Sequence, residues 1–398
     1  AWKPSVLLGV PPDGAWGKIK YVNNAKRKEI ILANQPLPGK IEAGKQLKLR
    51  FDLTLPVDDE FDVPVYLRMS RSKSVFVRQR LDGSVLKNAA ENNGKAMLEI
   101  SFTPSRYLYH GNYDLSLEIP FYSVKFEGKE WIQRVKLINS ANPAPVNAEV
   151  KPVNGMPVLH LDGSPVMSMF YSTRGGGGSY MQPNMHRLYS ANQMHMTICS
   201  ISPNMPAPDK YDFIEVDRQI AEALDNNSEA KIILKPGFRD IVPGWFDKRY
   251  PEEMVVFDGG KRYGKPSLAS KQWREIVGNM LRELIRHVQN GPYSDRVIGY
   301  YICEGEEGQW MHYWGGSDLS KDNVLSDYSP AMQEYFSGWL KSKYQDESAL
   351  QKAWKDDNAS FVNPRIPDKL ERLEGGIGMF RDPVKSRRAI DYAEALSD

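Results

Sequence analysis

The chain has 398 residues, too many for one average domain, and Lys+Arg 52 against Asp+Glu 50 leaves a net charge of only +2. That balance gives no electrostatic footprint for nucleic acid or an anionic membrane, and no stretch approaches the roughly 20 apolar residues of a membrane-spanning helix. The two cysteines, Cys199 and Cys303, exclude a disulfide framework and a four-cysteine zinc site.

Residues 1–148 read as strands. Leu47 to Leu53 alternates apolar and polar at period two, as a half-buried strand should. Val63 to Met69, Ser74 to Arg80, Ala96 to Phe102, Tyr113 to Ile119 and Trp131 to Ile138 are further strands. Turn signals such as Asn92-Asn93-Gly94, His110-Gly111-Asn112 and Glu127-Gly128 separate them. Short strands at this spacing predict an antiparallel β-sandwich. The basic run Lys26-Arg27-Lys28 meets Glu29 at once and reads as a solvated face. The Pro-, Asn- and Ala-rich run Asn139 to Pro152 reads as the linker, which the domain bounds place at 149–155.

From Met156 the rhythm changes. A small hairpin over Val158 to Val166 closes at Asp162-Gly163, and Met167 to Tyr171 is a short apolar strand. Tyr180 to Gln193 reads as a helix, Met194 to Ile201 as a strand, Asp212 to Asn226 as an amphipathic helix and Lys231 to Leu234 as a buried strand. Ser270 to Gln289 is a strong helix, with Trp273, Met280, Leu284 and Val288 on one face. Val297 to Ile302 is a strand again. Such alternation implies a parallel sheet with right-handed crossovers, in a (β/α) barrel or an open doubly wound sheet. Helices alone follow: Tyr328 to Tyr344, Glu347 to Trp354, and a last one behind an Asp382 cap with Pro383 at its start. Domain 156–398 is therefore read as α/β, a TIM-type (β/α) barrel limited to its first four βα units. The sequence is expected to be the N-terminal part of a longer protein.

In barrels and open α/β sheets, reactive groups gather beyond the C-terminal strand ends. The first three strands lead to Arg174, to Ser200-Ile201-Ser202, and to Lys235-Pro236-Gly237 with Trp245 beyond. The fourth leads to Cys303-Glu304-Gly305-Glu306-Glu307-Gly308-Gln309-Trp310, three carboxylates within four residues with His312 and Trp314 behind them. Crowded carboxylates in a low-dielectric cleft repel one another, which pushes one towards its protonated form. A protonated acid at neutral pH is what protonates the leaving oxygen of a glycoside. Trp and Tyr faces suit sugar C–H groups. The plain alternative is an acidic loop in solvent.

The run VIGYYICEGEEGQW from Val297 to Trp310 resembles the fourth-strand segment of clan-A glycoside hydrolases, especially the family 42 β-galactosidases. The approach to it resembles that family as well: Pro243-Gly244-Trp245, Arg249-Tyr250-Pro251-Glu252, Gly259-Gly260-Lys261-Arg262-Tyr263-Gly264 and Pro266-Ser267. Tyr335-Phe336 to Tyr344, Ala349-Leu350 to Ala353-Trp354, Phe380-Arg381-Asp382-Pro383 and Ile390-Asp391-Tyr392 continue the likeness over residues 156–398. It implies a retaining glycosidase with a β-linked carbohydrate substrate; separately, no cofactor or metal is expected. The family carries Asn-Glu at this strand end, with Glu as acid/base. Here Gly305 falls at the Glu position by direct count. A one-residue bulge puts Glu306 there and Gly305 at the Asn position, with Glu304 and then Glu307 as the alternatives. Arg174, Trp310 and His312 are the implied sugar-lining residues, and Trp245 is read as a sugar platform, with a cap on the core as its alternative. The family's nucleophile, a Glu ending strand seven, is expected to fall outside this chain. The altered motif leaves open a second reading, a non-catalytic carbohydrate-binding protein derived from such an enzyme.

Other signals are plainer. Gly175 to Gly178 is followed by no Lys-Ser/Thr pair and reads as a loop, not a phosphate cradle. The six histidines show no His-Glu-x-x-His or finger spacing, and His195 is expected to be packed. No Gly-x-Ser-x-Gly elbow occurs, and Cys303 beside the acidic run is a poor nucleophile. Trp273 and Trp339 are expected in the core.

Overall fold

The computed structural model describes residues 27–34, 37–56, 64–81, 84–87, 92–172, 181–237, 244–302, 325–374 and 381–398. They divide into two compact units. The first is drawn from Ala1–Ile41, Lys45–Thr103 and Asn112–Lys136, the second from Glu42–Gly44, Pro104–Gly111 and Leu137–Asp398.

Two five-stranded sheets carry the first unit. One has the order Lys95–Phe102, Leu47–Thr54, Lys28–Leu32, Tyr122–Phe126, Lys129–Glu130. The other has Lys40–Glu42, Gln133–Ile138, Gly111–Glu118, Val65–Arg71, Ser74–Leu81. Alternation sorts the side chains: Leu49, Phe51 and Leu53 are buried, whereas Lys48 and Arg50 face water. Val65, Leu67 and Met69 repeat the pattern. The strands expected from alternation all form. The pairing is not wholly antiparallel, however, because Lys28–Leu32 runs parallel to Tyr122–Phe126.

In the second unit, part of the expected linker is a strand. Ala148–Val153 pairs antiparallel with Met156–Leu161. Asn154 and Gly155 connect them at φ +51° and +79°, the left-handed pair that a two-residue hairpin turn requires. Asp162 and Gly163 close the next hairpin in the same way, as expected.

Four parallel strands follow, Phe170–Ser172, Met196–Ile201, Lys231–Pro236 and Val297–Tyr300, lying side by side in chain order. Strand order never reverses, so the sheet is wound one way and has no doubly wound switch point. Among the described residues it does not close into a barrel. Helices Met181–Ala191, Ile214–Asn226 and Lys271–Gln289 fill the crossovers. Ile220, Ala221 and Leu224 of the second are buried, as are Trp273, Met280, Leu284 and Val288 of the third. Ser270 caps the third helix, its hydroxyl accepting from the Trp273 amide at 3.0 Å. Two hairpins that the sequence pattern does not announce, Asn204–Ala207 with Lys210–Asp212 and Met254–Val256 with Arg262–Pro266, extend the second and third strand exits.

Pro330–Tyr344, Glu347–Trp354, Lys369–Leu373 and Arg387–Ser397 form the helical end. Phe336, Leu340, Leu350, Trp354 and Tyr392 make its core. The last helix begins at Arg387, later than expected: the Asp382 carboxylate instead accepts from the Val384 and Lys385 amides at 2.8 and 3.0 Å and closes a separate turn. Among the described residues no helix is long and apolar enough to cross a membrane.

Candidate active site

The C-terminal ends of the parallel strands are held in tight register. Ser200 lies opposite Lys235 and Ile201 opposite Pro236, and the Gly237 amide donates to the Ile201 carbonyl at 3.2 Å. The Tyr301 amide donates to the Leu234 carbonyl at 2.8 Å, so the fourth strand's exit is fastened to the third. The two sheet faces differ. Cys199 and Leu234 share the buried face, and Cys199 feels the charges of Glu222 and Arg218 on the neighbouring helix. Burial there pushes the Cys199 thiol up to about 12, which leaves it inert at neutral pH. Ser200 and Lys235 share the opposite face, where the Lys235 ammonium sits 5.1 Å from the centre of the Tyr301 ring. Tyr301 is 45% exposed, so this face carries a cation, a hydroxyl and an aromatic ring near the strand ends.

The histidines near the sheet are structural. His186, sealed between helix and sheet, has its pKa lowered to about 4 by burial, and its Nδ1 lies 3.2 Å from the Tyr171 hydroxyl. Tyr171 stacks on Tyr189 at 3.7 Å. His195 is packed as expected, its Nδ1 lying 2.9 Å from Asn227 Oδ1. Among the described residues no group of three His, Cys, Asp or Glu converges as a metal site would require.

Of the residues singled out from sequence, Arg174, Cys303, Glu304, Glu306, Glu307, Trp310 and His312 lie outside the described residues. Trp245 is described. Its indole N–H donates to the Met205 carbonyl at 3.1 Å, and the ring packs on a cluster with Phe246, Met254 and Trp273. It also lines a cleft of about 190 Å³ with Tyr211, Tyr250 and residues of helix Lys271–Gln289; none of the parallel-strand residues lines that cleft. Trp273 is buried as expected, and Trp339 is half-buried with its indole N–H donating to Asp398. A larger cavity of about 620 Å³, between helices Lys271–Gln289 and Pro330–Tyr344 and the last four residues, is lined mainly by helix side chains. It reaches the sheet only at Ile302, which makes it a poor candidate for the reacting centre.

Sequence reasoning missed the buried carboxylates, of which Asp217 and Asp391 are held by side chains. Asp217 accepts from His287 Nε2 and the Tyr293 hydroxyl, both at 2.6 Å. Asp391 accepts from Lys343, Tyr344, Trp354 and Arg387. Neither stands at a strand end. Apart from Arg387, four residues before Asp391, their partners lie 37 to 76 residues away in sequence, beyond the reach of local spacing.

Residues 182–360 match the glycoside hydrolase family 42, described as beta-galactosidase. Over that segment the chain resembles the family 42 glycoside hydrolases. Beta-galactosidase BbgII of Bifidobacterium bifidum is 25% identical over 218 residues, covering 52% of this chain and 27% of that protein. Beta-galactosidase LacZ of Heyndrickxia coagulans is 21% identical over 213 residues, covering 52% of this chain and 28% of that protein. The chain therefore spans about a quarter of the length of these curated relatives. The apo exo-carrageenase GH42 from Bacteroides ovatus aligns with a TM-score of 0.35 and 13% identity over 65% of this chain and 32% of that one. The family 42 segment takes in the second, third and fourth parallel strands and the acidic run behind the fourth.

Proposed function

We propose that this chain carries the acid/base part of a retaining family-42-like glycosidase that acts on a β-linked galactoside or a related glycan. The observation that carries the reading is the family 42 segment running through strand Val297–Tyr300 into Glu304, Glu306 and Glu307. Glu306 is the acid/base: crowding by its acidic neighbours keeps it protonated, and it delivers its proton to the glycosidic oxygen. Arg174, Trp310 and His312 line the sugar. Retention needs a second carboxylate about 5 to 5.5 Å away, and we assign it to a strand beyond the four described.

The domain reading follows the same line: a β-sandwich over 1–148, a connecting stretch near 149–155 and the start of a (β/α) barrel over 156–398. One apolar face on each five-stranded sheet supports the sandwich, and the unreversed order of the four parallel strands supports the barrel. A non-catalytic glycan binder is the competing reading, favoured by Gly305 at the position of the family's Asn.

The test uses a nitrophenyl β-galactoside. The 398-residue chain gives no turnover, whereas the protein translated from the full reading frame turns it over and loses roughly 10²–10⁴-fold in rate with Glu306→Gln. An unchanged rate would move the role to Glu304 or Glu307, and an inactive full-length protein would favour the binder.

A further inference from the structure

The cleft beside Trp245 has a composition that the strand-end reading does not use. Tyr211 comes from the hairpin after the second parallel strand, and Trp245 and Tyr250 from the turn after the third. Glu275 and Asn279 stand one turn apart on the flank of helix Lys271–Gln289, away from its buried face. Asp209 closes the rim from the hairpin turn.

Three features restrict what fits. The volume, about 190 Å³, falls below the roughly 300–1,000 Å³ of sites for drug-sized ligands, so the occupant is about one ring in size. The walls combine aromatic rings, carboxylates and a side-chain amide, which together accept hydroxyl protons and cover C–H faces. The charges are mixed. The Arg249 guanidinium lies 5.4 Å from the centre of the Tyr250 ring and spends that face on an internal contact. A cation placed there disfavours a quaternary ammonium ligand, and Asp209 with Glu275 disfavours an anion. A neutral polyol ring is what remains.

The cleft is also preorganised. The indole of Trp245 is tied to Met205, itself 1% exposed, and rests on the buried Phe246. A ring already fixed loses little entropy when a ligand stacks on it. Among the described residues Glu275 has no ion-pair partner, so its carboxylate is free to accept from a ligand.

We propose that the cleft between Tyr211, Trp245 and Glu275 is an accessory binding site for a single pyranose residue of a glycan, separate from the strand-end opening. The choice of a sugar rests on the glycosidase reading; the location does not. Such a site tethers a longer glycan chain without touching the scissile bond, so it affects polymer affinity and leaves small substrates alone.

The experiment titrates methyl β-D-galactopyranoside and a β-linked galacto-oligosaccharide into the purified chain. Tryptophan fluorescence and calorimetry follow wild type, Tyr211→Ala, Glu275→Ala and Glu306→Gln, with melting curves to verify folding. The expected result is saturable binding that weakens about tenfold in each of the first two variants. Absence of saturable binding would overturn the proposal. So would binding that ignores Tyr211→Ala and Glu275→Ala but disappears in Glu306→Gln, since the sugar would then sit at the strand ends. Competition by tetramethylammonium would also overturn it, by showing a cation cage. Rate loss in the full-length Glu306→Gln enzyme is read separately, so accessory binding and catalysis fail independently.

Discussion

Two of the buried aspartates in the second unit solve the same problem in different ways. Asp391 is fully buried and receives cations on one oxygen and neutral donors on the other. Lys343 Nζ at 2.9 Å and Arg387 Nη2 at 2.6 Å reach Oδ1, while the Tyr344 hydroxyl and the Trp354 indole N–H reach Oδ2, each at 2.7 Å. Asp217 is 3% exposed and has no Lys or Arg among its described partners. A single oxygen takes both His287 Nε2 and the Tyr293 hydroxyl. Around it the Tyr109 ring stacks on His287 at 4.4 Å, and its hydroxyl donates to the His287 carbonyl. One carboxylate is neutralised by permanent charge at a junction of helices; the other is held by aromatic donors and an imidazole. A buried acid beside a histidine is therefore no sign of catalysis in this fold unless it also stands at a strand end.

The largest expected effect separates the two at once. Asp391→Ala strands two cations against a core of Phe336, Trp354 and Tyr392. Removing one partner of a buried ion pair costs about 3–5 kcal/mol, and the lower end applies because Lys343 and Arg387 remain 27% and 23% exposed. Urea unfolding measures it. The pH dependence sharpens the point. Burial alone would raise the Asp391 pKa, but the donors from Trp354, Arg387, Lys343 and Tyr344 outweigh it and hold the group below its ordinary value. A depressed folded pKa contributes stability that is complete above the unfolded value near 3.9 and fades as pH falls through the folded one. Wild type should therefore lose stability more steeply than Asp391→Asn below about pH 4. Parallel curves would break the contrast.

Asp217→Asn comes next, at about 2 kcal/mol, the loss expected when charge-assisted hydrogen bonds become neutral ones without a cavity. A double-mutant cycle with His287→Gln should show about 1 kcal/mol of coupling. Additive losses would mean that the imidazole is packed against Tyr109 and Phe213 rather than held by the carboxylate.

Local patterns in the sequence were legible where the interaction that makes them is also local. Period-two alternation finds Leu47–Thr54, and a helical stripe with a Ser270 cap finds Lys271–Gln289. Composition misled at Ala148–Val153, where Pro and Asn suggested a linker while Asn154-Gly155 supplied hairpin chemistry. Lys28–Leu32 was invisible because it is short, begins with two exposed charges and gains its sheet position from a parallel partner 94 residues on. Of the candidate site, the strand exits were readable from the alternation of helix and strand. The cleft beside Trp245 was not, because it is assembled from a hairpin, a turn and a helix that meet only in three dimensions.

The smallest effect tests whether the Asp391 cluster is graded or all-or-none. Tyr344→Phe removes one of the two neutral donors on Oδ2 and leaves Trp354 in place, with both cations still on Oδ1. The substitution also removes the bond that the hydroxyl accepts from Arg387 Nε at 3.2 Å, and the two losses together should cost about 1–2 kcal/mol, below the Asp391→Ala loss. Burial and the Asp391 charge push the Tyr344 hydroxyl up to about 12, so it remains a donor across the neutral range and the loss should not vary between pH 6 and 9. A cost equal to that of Asp391→Ala would show that the donors act as one cooperative unit, and that even the cation-paired carboxylate depends on its neutral partners to stay charged.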